Sequence, residues 1–98
     1  MYAITFDLRI NDLKEHYDKQ PPNAYVEIKN VLKTYGFSWI QGSVYVYTNT
    51  QQNDIGLGSV FLAMEALKKI DWFVQSVRDI RAFKIEDWSN FTPIVKNK

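Results

Sequence analysis

The chain has 98 residues, of which 46% are hydrophobic and 23% charged, a composition that excludes the disordered class. We expect one domain over residues 1–98, because a chain of this length supports a single core. The formal net charge of +1 excludes long-range attraction of nucleic acid, so such binding needs a local patch. The chain has no cysteine, which excludes disulfides and zinc–thiolate sites and favours a cytoplasmic protein.

The first segment predicts a strand. Apolar and polar residues alternate from Tyr2 to Ile10, which is typical of a half-buried strand and places Asp7 on the face opposite the core. The segment reaches Asp7 without a basic region, so it is not a signal peptide. No apolar run approaches the roughly 18 residues of a membrane span, and we expect no membrane segment.

The middle of the chain predicts a helix, a hairpin and a second helix. After a polar stretch, either a loop or a helical turn, Pro21-Pro22 opens a helix that Gly36 ends. Two short strands follow, Phe37–Ile40 and Val44–Tyr47, with a tight turn or a bulge at Gly42. Asp54 is a candidate cap for the next helix. Its apolar positions recur at helical spacing: Leu57, Val60, Phe61, Met64, Leu67 and Ile70.

The last part predicts a charged strand and a tail. Residues 76–87 have the apolar content of a strand but carry Arg78, Asp79 and Arg81 near its start. The tail after Trp88 fits either a short helix with coil or an edge strand. The order is βαββαβ, which predicts an α+β, ferredoxin-like fold: a four-stranded antiparallel sheet with two helices on one face, plus a C-terminal tail.

The second face of this sheet is left without helices. We expect it to present Ala3, Thr5 and Asp7, together with Ser43, Tyr45 and Tyr47 or the residues that alternate with them. Aromatic residues make up 15% of the chain, and a face rich in them needs a cover. A second copy of the chain is the simplest cover, which predicts a homodimer.

Four blocks of the sequence resemble the virulence-associated protein D (VapD) family: Met1–Leu8, Gln41–Tyr45, Ser76–Phe83 and Asp87–Thr92. The resemblance covers nearly the whole chain. It implies a ferredoxin-like homodimer with endoribonuclease activity, related to the small CRISPR-associated endonuclease subunit and acting as the toxin of a toxin–antitoxin pair. It also implies functional roles for Asp7, Ser43 and Asp79.

The charged residues have two interpretations each. Two copies of Asp7 that meet across a dimer axis would share a proton or bind a divalent cation such as Mg²⁺; alternatively, Asp7 pairs with Arg78 or Arg81 and only fixes the strands. Strand alternation predicts Asp79 and Arg81 on one face and Arg78 on the other. One arginine would then orient a carboxylate while the other binds phosphate, or the group is an architectural ion-pair cluster.

Other side chains are also candidates for the site. Ser43 would hold a phosphate oxygen, or it makes an ordinary turn hydrogen bond. Tyr45, with Tyr47, would stack on RNA bases, or it packs within the sheet or dimer interface. His16, the single histidine, would act as acid and base in metal-free cleavage, or it is solvent-exposed and incidental.

Two functions follow from these readings. The first is a homodimeric endoribonuclease on single-stranded RNA, with Asp7, Asp79 and Ser43 as catalytic residues and Arg78, Arg81 and Tyr45 as substrate-binding residues. The alternative is a non-catalytic homodimer that binds RNA or protein, because the fold alone does not decide function.

Overall fold

The computed structural model describes residues 1–48 and 55–97, so the predicted cap at Asp54 lies outside the described residues. The first half contains β1 (Tyr2–Leu8), α1 (Ile10–His16), α2 (Pro21–Thr34), β2 (Phe37–Gln41) and β3 (Val44–Tyr47). The second half contains α3 (Leu57–Lys68), α4 (Asp71–Ser76), β4 (Val77–Lys84) and α5 (Thr92–Lys96). Along the described residues, no helix is long and apolar enough to cross a membrane.

The four strands form one antiparallel sheet in the order β2-β3-β1-β4. The first strand lies in the middle, between β3 and the last strand. This order and the helices on one face confirm the predicted ferredoxin-like α+β fold. Thr5 of β1 lies opposite Val44 of β3 and opposite Arg81 of β4, so the open face carries one row of residues across three strands.

The core lies between the sheet and the helices. Ile4, Phe6 and Leu8 of β1 are almost fully buried there, against Ile28 and Leu32 of α2. Burial of each such side chain contributes roughly 1.5–3 kcal/mol before the entropy of ordering is subtracted. Strand alternation therefore forces Ala3, Thr5 and Asp7 onto the open face, as the sequence predicted.

The ends of several elements differ from the prediction. The first strand ends at Leu8 rather than Ile10, because Arg9 donates its backbone N–H to the Ser76 carbonyl (2.8 Å) and α1 begins at Ile10. Residues 71–76, read from sequence as a connection and the start of the last strand, form α4. The tail adopts the helical alternative: α5 is a short helix with no buried residue.

Gly56 precedes α3 in the left-handed region, with φ of 89°. A Cβ at this position would lie 2.5–2.9 Å from Tyr47 side-chain atoms. Tyr47 is itself 2% exposed, with its ring 5.4 Å from that of Phe37. The start of α3 is thus seated directly on the end of β3.

Candidate functional site

Two carboxylates face each other at one end of the sheet. Asp7 of β1 lies directly opposite Asp79 of β4. Met1 and Ile85 exchange backbone hydrogen bonds further along the same ladder (2.9 and 2.7 Å), so every second pair, including Asp7 and Asp79, is of the hydrogen-bonded type. The two Cα atoms of such a pair are about 5.5 Å apart. Like charges placed this close are unfavourable unless cations neutralise them.

A β-bulge brings one of these cations to the pair. The register shifts between Asp7 and Leu8, so that Leu8 lies opposite Val77 and Arg78 has no partner on β1. Such an extra residue bends its strand and re-aims its side chain. The Nη1 atom of Arg78 lies 3.8 Å from an Asp7 oxygen. The prediction that Arg78 occupies the opposite face was wrong, because it assumed unbroken alternation.

Arg81 holds the second carboxylate more tightly. Its Nε donates to both oxygens of Asp79, at 3.2 and 3.0 Å. As predicted, Asp79 and Arg81 share a face. The four charges sum to zero within one protomer, and the carboxylates remain accessible: the side chains of Asp7 and Asp79 are 62% and 49% exposed. The cluster is therefore open to a ligand at the surface of the sheet.

Tyr25 of α2 also belongs to this end of the molecule, and sequence reasoning missed it. Its ring stacks on Phe6, the residue before Asp7, with the centroids 6.2 Å apart. Burial, and then the charge of Asp7, raise the pKa of Tyr25, which keeps the phenol protonated near the carboxylate. The available signal was its spacing of three and seven residues before Ile28 and Leu32, which places it on the buried face of α2.

The remaining predicted residues have different positions. Ser43 is half-buried in the turn between β2 and β3, next to Val44 and hence at the same end of the sheet as Asp7. Tyr45 is 2% exposed and stacks on Phe6 at 5.7 Å, so it packs in the core. Burial, followed by the nearby Tyr25 phenol, raises the pKa of Tyr45. His16 is exposed in the last turn of α1.

Val44 and Val46, rather than Tyr45 and Tyr47, are the β3 residues of the open face, because Tyr45 and Tyr47 both lie in the core cluster. Between this face and the C-terminal arm (residues 85–97) runs a groove of about 990 Å³. Its sides include Phe83 of β4 and Trp88 and Phe91 of the arm, which are 42%, 42% and 62% exposed. A large apolar surface therefore adjoins the charged cluster.

The donor set at Asp7 and Asp79 is compatible in type with a divalent cation but small in number. Carboxylate oxygens are the ligands that Mg²⁺ prefers, and this ion normally keeps several waters. Among residues 1–48 and 55–97, no group of three or more His, Asp or Glu side chains could hold a metal ion. The positive charges of the two arginines also disfavour cation binding at the carboxylates unless an anion binds the arginines.

Comparisons with known proteins agree with this architecture. The model of the family described as "CRISPR associated protein Cas2" matches residues 1–92. A protein of Dichelobacter nodosus named endoribonuclease VapD is 57% identical over 96 residues, covering 98% of each chain. Proteins with the same name from Helicobacter pylori and Haemophilus influenzae are 47% and 44% identical over 97 residues, covering 99% of this chain and the whole of theirs.

Proposed function

Because this chain belongs to the Cas2 family and is related over nearly its full length to the VapD endoribonucleases, we propose that it is an endoribonuclease that cleaves single-stranded RNA. The structural observation that carries the proposal is the exposed pair of Asp7 and Asp79, each beside its own arginine. Carboxylates remove protons and guanidinium groups bind phosphate, and cleavage of RNA requires both actions.

The distances support different roles for the two arginines. Arg81 donates to both oxygens of Asp79, so it orients that carboxylate. Arg78 lies 3.8 Å from Asp7, beyond hydrogen-bond length, and its N–H groups are available to a phosphate. Asp7, from which Arg78 is then drawn away, accepts the proton of the attacking ribose 2′-hydroxyl or water. As the new bond to phosphorus forms, the bond to the leaving 5′-oxygen breaks, and a solvent water protonates that oxygen. Ser43, at the neighbouring turn, positions the phosphate.

We propose a homodimer in which a second copy covers the open face. The apolar groove of about 990 Å³ and the exposed rings of Phe83 and Phe91 support this arrangement, since surfaces of this kind usually mark an interface. The isolated α5 helix supports it as well, because its apolar residues Ile94 and Val95 are 70% and 67% exposed.

Mg²⁺ is a proposed participant rather than a requirement. Asp7 and Asp79 are the residues that would hold it, with water and Asp7 of the partner subunit completing the ligands. A bound divalent ion would lower the pKa of an attacking water. With or without the ion, Arg78 and Arg81 bind and orient, and Asp7 remains the group nearest the reacting phosphate.

The finer biological assignment rests on the resemblance to VapD. We propose that the protein is the toxin of a toxin–antitoxin pair, that an antitoxin protein is its partner, and that it acts in the cytoplasm. The absence of cysteine is consistent with a reducing compartment. Co-purification with the product of a neighbouring gene, and relief of growth arrest when both are expressed, would test this assignment.

The decisive experiment is cleavage of a labelled single-stranded RNA by the purified protein, Asp7→Asn and Asp79→Asn, each with EDTA and with Mg²⁺. Asp18→Asn is the matched control, because Asp18 is exposed on the segment after α1, outside the cluster. We expect at least a 100-fold loss for Asp7→Asn, the lower end of the usual contribution of a general base. The control is expected to cleave normally.

The competing reading, a non-catalytic module with an architectural ion cluster, gives a different pattern. In that case Asp79→Asn would lower the melting temperature or dissociate the dimer, and cleavage by the parent protein would be absent or unaffected by Asp7→Asn. Thermal melts and size-exclusion chromatography on the same samples separate the two readings. Loss of cleavage in EDTA alone would assign the metal-assisted route.

A further inference from the structure

Trp39 of β2 is exposed yet firmly held. The residue is 48% exposed. The indole Nε1 donates to the Gly42 carbonyl at 2.8 Å, which ties the ring to the β2–β3 turn. On one face, Lys29 Nζ of α2 lies 4.8 Å from the ring centroid. A large aromatic ring fixed on an edge and on one face, with the rest open to solvent, is preorganised for a flat ligand.

The ring lies at the same end of the molecule as the carboxylate pair. Thr5 and Val44 are opposite each other, so the turn at Gly42 and the end of β1 at Asp7 are neighbours. Trp39 lies level with Tyr45 and Ile4, and Asp7 is three residues further along β1, so the two residues are roughly 10 Å apart across the sheet and about 10 Å along it. Two or three nucleotides of an extended RNA strand that passes around the end of the β2–β3 turn cover this distance.

Helix α2 connects the two places. Tyr25 and Lys29 are four residues apart and therefore lie on the same side of α2. Tyr25 stacks on Phe6 beside Asp7, and Lys29 covers Trp39. The Tyr25 phenol and the Lys29 ammonium group thus lie between the carboxylates and the indole ring, and Lys29 supplies a positive charge there.

Trp39 lies at the free edge of β2. It is opposite Tyr45, a core residue, and contacts α2, so its ring lies on the helix side of the sheet edge. Trp39 is also among the residues that line the groove, so the subsite requires the second copy to leave this edge of β2 uncovered. The base-stacking role that sequence reasoning considered for Tyr45 is not available to a ring buried in the core, whereas the Trp39 ring is exposed.

We propose that Trp39 and Lys29 form a nucleotide subsite, in which a base of single-stranded RNA stacks on the indole and its phosphate contacts the ammonium group. The proposal rests on the proposed endoribonuclease function and names where the substrate strand is held beside the cleavage site. Stacking on an aromatic residue is sequence-tolerant, so the subsite contributes affinity rather than base choice.

The test is binding of a non-cleavable 2′-O-methyl RNA, followed by the quenching of tryptophan fluorescence. Removal of one stacking platform is expected to weaken binding about 5- to 150-fold in Trp39→Ala, with a smaller loss in Trp39→Phe. Quenching should disappear in Trp39→Phe and persist in Trp72→Phe, the matched control, because Trp72 of α4 packs on Tyr17 and does not line the groove. Lys29→Gln should reduce the dependence of log Kd on log salt by about 1. In cleavage assays, KM should rise while kcat is retained.

Unchanged Kd in both Trp39 variants, or quenching that survives in Trp39→Phe, would overturn the subsite. If Trp39→Ala fails to fold, Trp39→Phe and Lys29→Gln still test the subsite, because both substitutions keep the apolar contacts of the fold. If a Trp39 variant cleaves RNA normally with unchanged KM, the subsite is refuted and the endoribonuclease proposal stands. Quenching through Trp39 without any cleavage by the parent would refute the endoribonuclease proposal and retain the subsite as an RNA-binding site.

Discussion

A substitution series at three glycines tests the packing of the fold. Gly56→Ala places a methyl group 2.5, 2.6 and 2.9 Å from three Tyr47 side-chain atoms. Tyr47 cannot move away easily, because it is 2% exposed and packs on Phe37. The backbone at φ of 89° adds a left-handed conformation that costs about 1–2 kcal/mol for a residue with a Cβ.

Overpacking of a well-filled core costs a further 1–3 kcal/mol or so. Together the two terms predict that Gly56→Ala loses about 2–5 kcal/mol of unfolding free energy. Since 1 kcal/mol shifts the melting temperature of a small domain by about 4–8 °C, the expected drop is roughly 10 °C or more. Urea unfolding at neutral pH and a thermal melt measure both quantities.

The two control glycines separate the terms. Gly42 has φ of 48° with nothing within 4 Å of a Cβ, so Gly42→Ala should lose only the conformational part, about 1–2 kcal/mol. Gly58 lies within α3 with open space around it, and Gly58→Ala should gain about 0.5–1 kcal/mol. If Gly56→Ala is no less stable than Gly42→Ala, the seating of α3 on Tyr47 is not as described.

Three other predictions concern the site and its surroundings. Arg78→Gln should weaken RNA binding about 10- to 100-fold, the value of one charged hydrogen bond, whereas Arg81→Gln should lower kcat more than it raises KM; equal effects on both constants would refute the division of roles. Burial, and then the charge of Asp7, raise the pKa of Tyr25, so we expect the phenol to help orient that carboxylate. Tyr25→Phe keeps the stack on Phe6 and should lower kcat about 2- to 10-fold without a change in melting temperature, and unaltered kcat would show that the phenol does not assist Asp7. Burial raises the pKa of Tyr17 to about 12, aided by its hydrogen bond to Glu27 and the charges of Glu27 and Asp18. The folded state then holds a proton that the unfolded state releases near pH 10, so stability is complete below about pH 10 and falls as pH rises toward 12. Urea midpoints between pH 8 and 11 should show a shallower fall for Tyr17→Phe, and parallel curves would contradict the assignment.

The strand content of the fold follows from the sequence because its signals are local. Clean alternation over β1 fixes Ile4 and Phe6 in the core and Asp7 on the open face, and the turn at Gly42 separates β2 from β3. By contrast, Val44-Tyr45-Val46-Tyr47 is apolar on both faces, so periodicity alone does not reveal which side is buried.

The site is harder to read because its geometry is not local. The bulge that brings Arg78 to Asp7 depends on how β4 pairs with β1, and a single strand carries no record of the extra residue. Tyr25 has a similar status: its helical spacing indicates burial, but only the packing of α2 on Phe6 places its hydroxyl near Asp7. The sequence showed the charges and offered Arg78 or Arg81 as partners of Asp7, but it did not decide between them.

The pairing of the first strand with the last has a consequence for synthesis of the protein. Asp7 leaves the ribosome before Arg78, Asp79 and Arg81, which lie on the fourth strand. Closure of so long a loop is entropically costly, and β1 pairs with β4 only after the intervening elements have been synthesised. A nascent or truncated chain that stops before Val77 therefore lacks half of the carboxylate pair. Any activity that depends on this pair therefore requires that β4 has been synthesised and has joined β1.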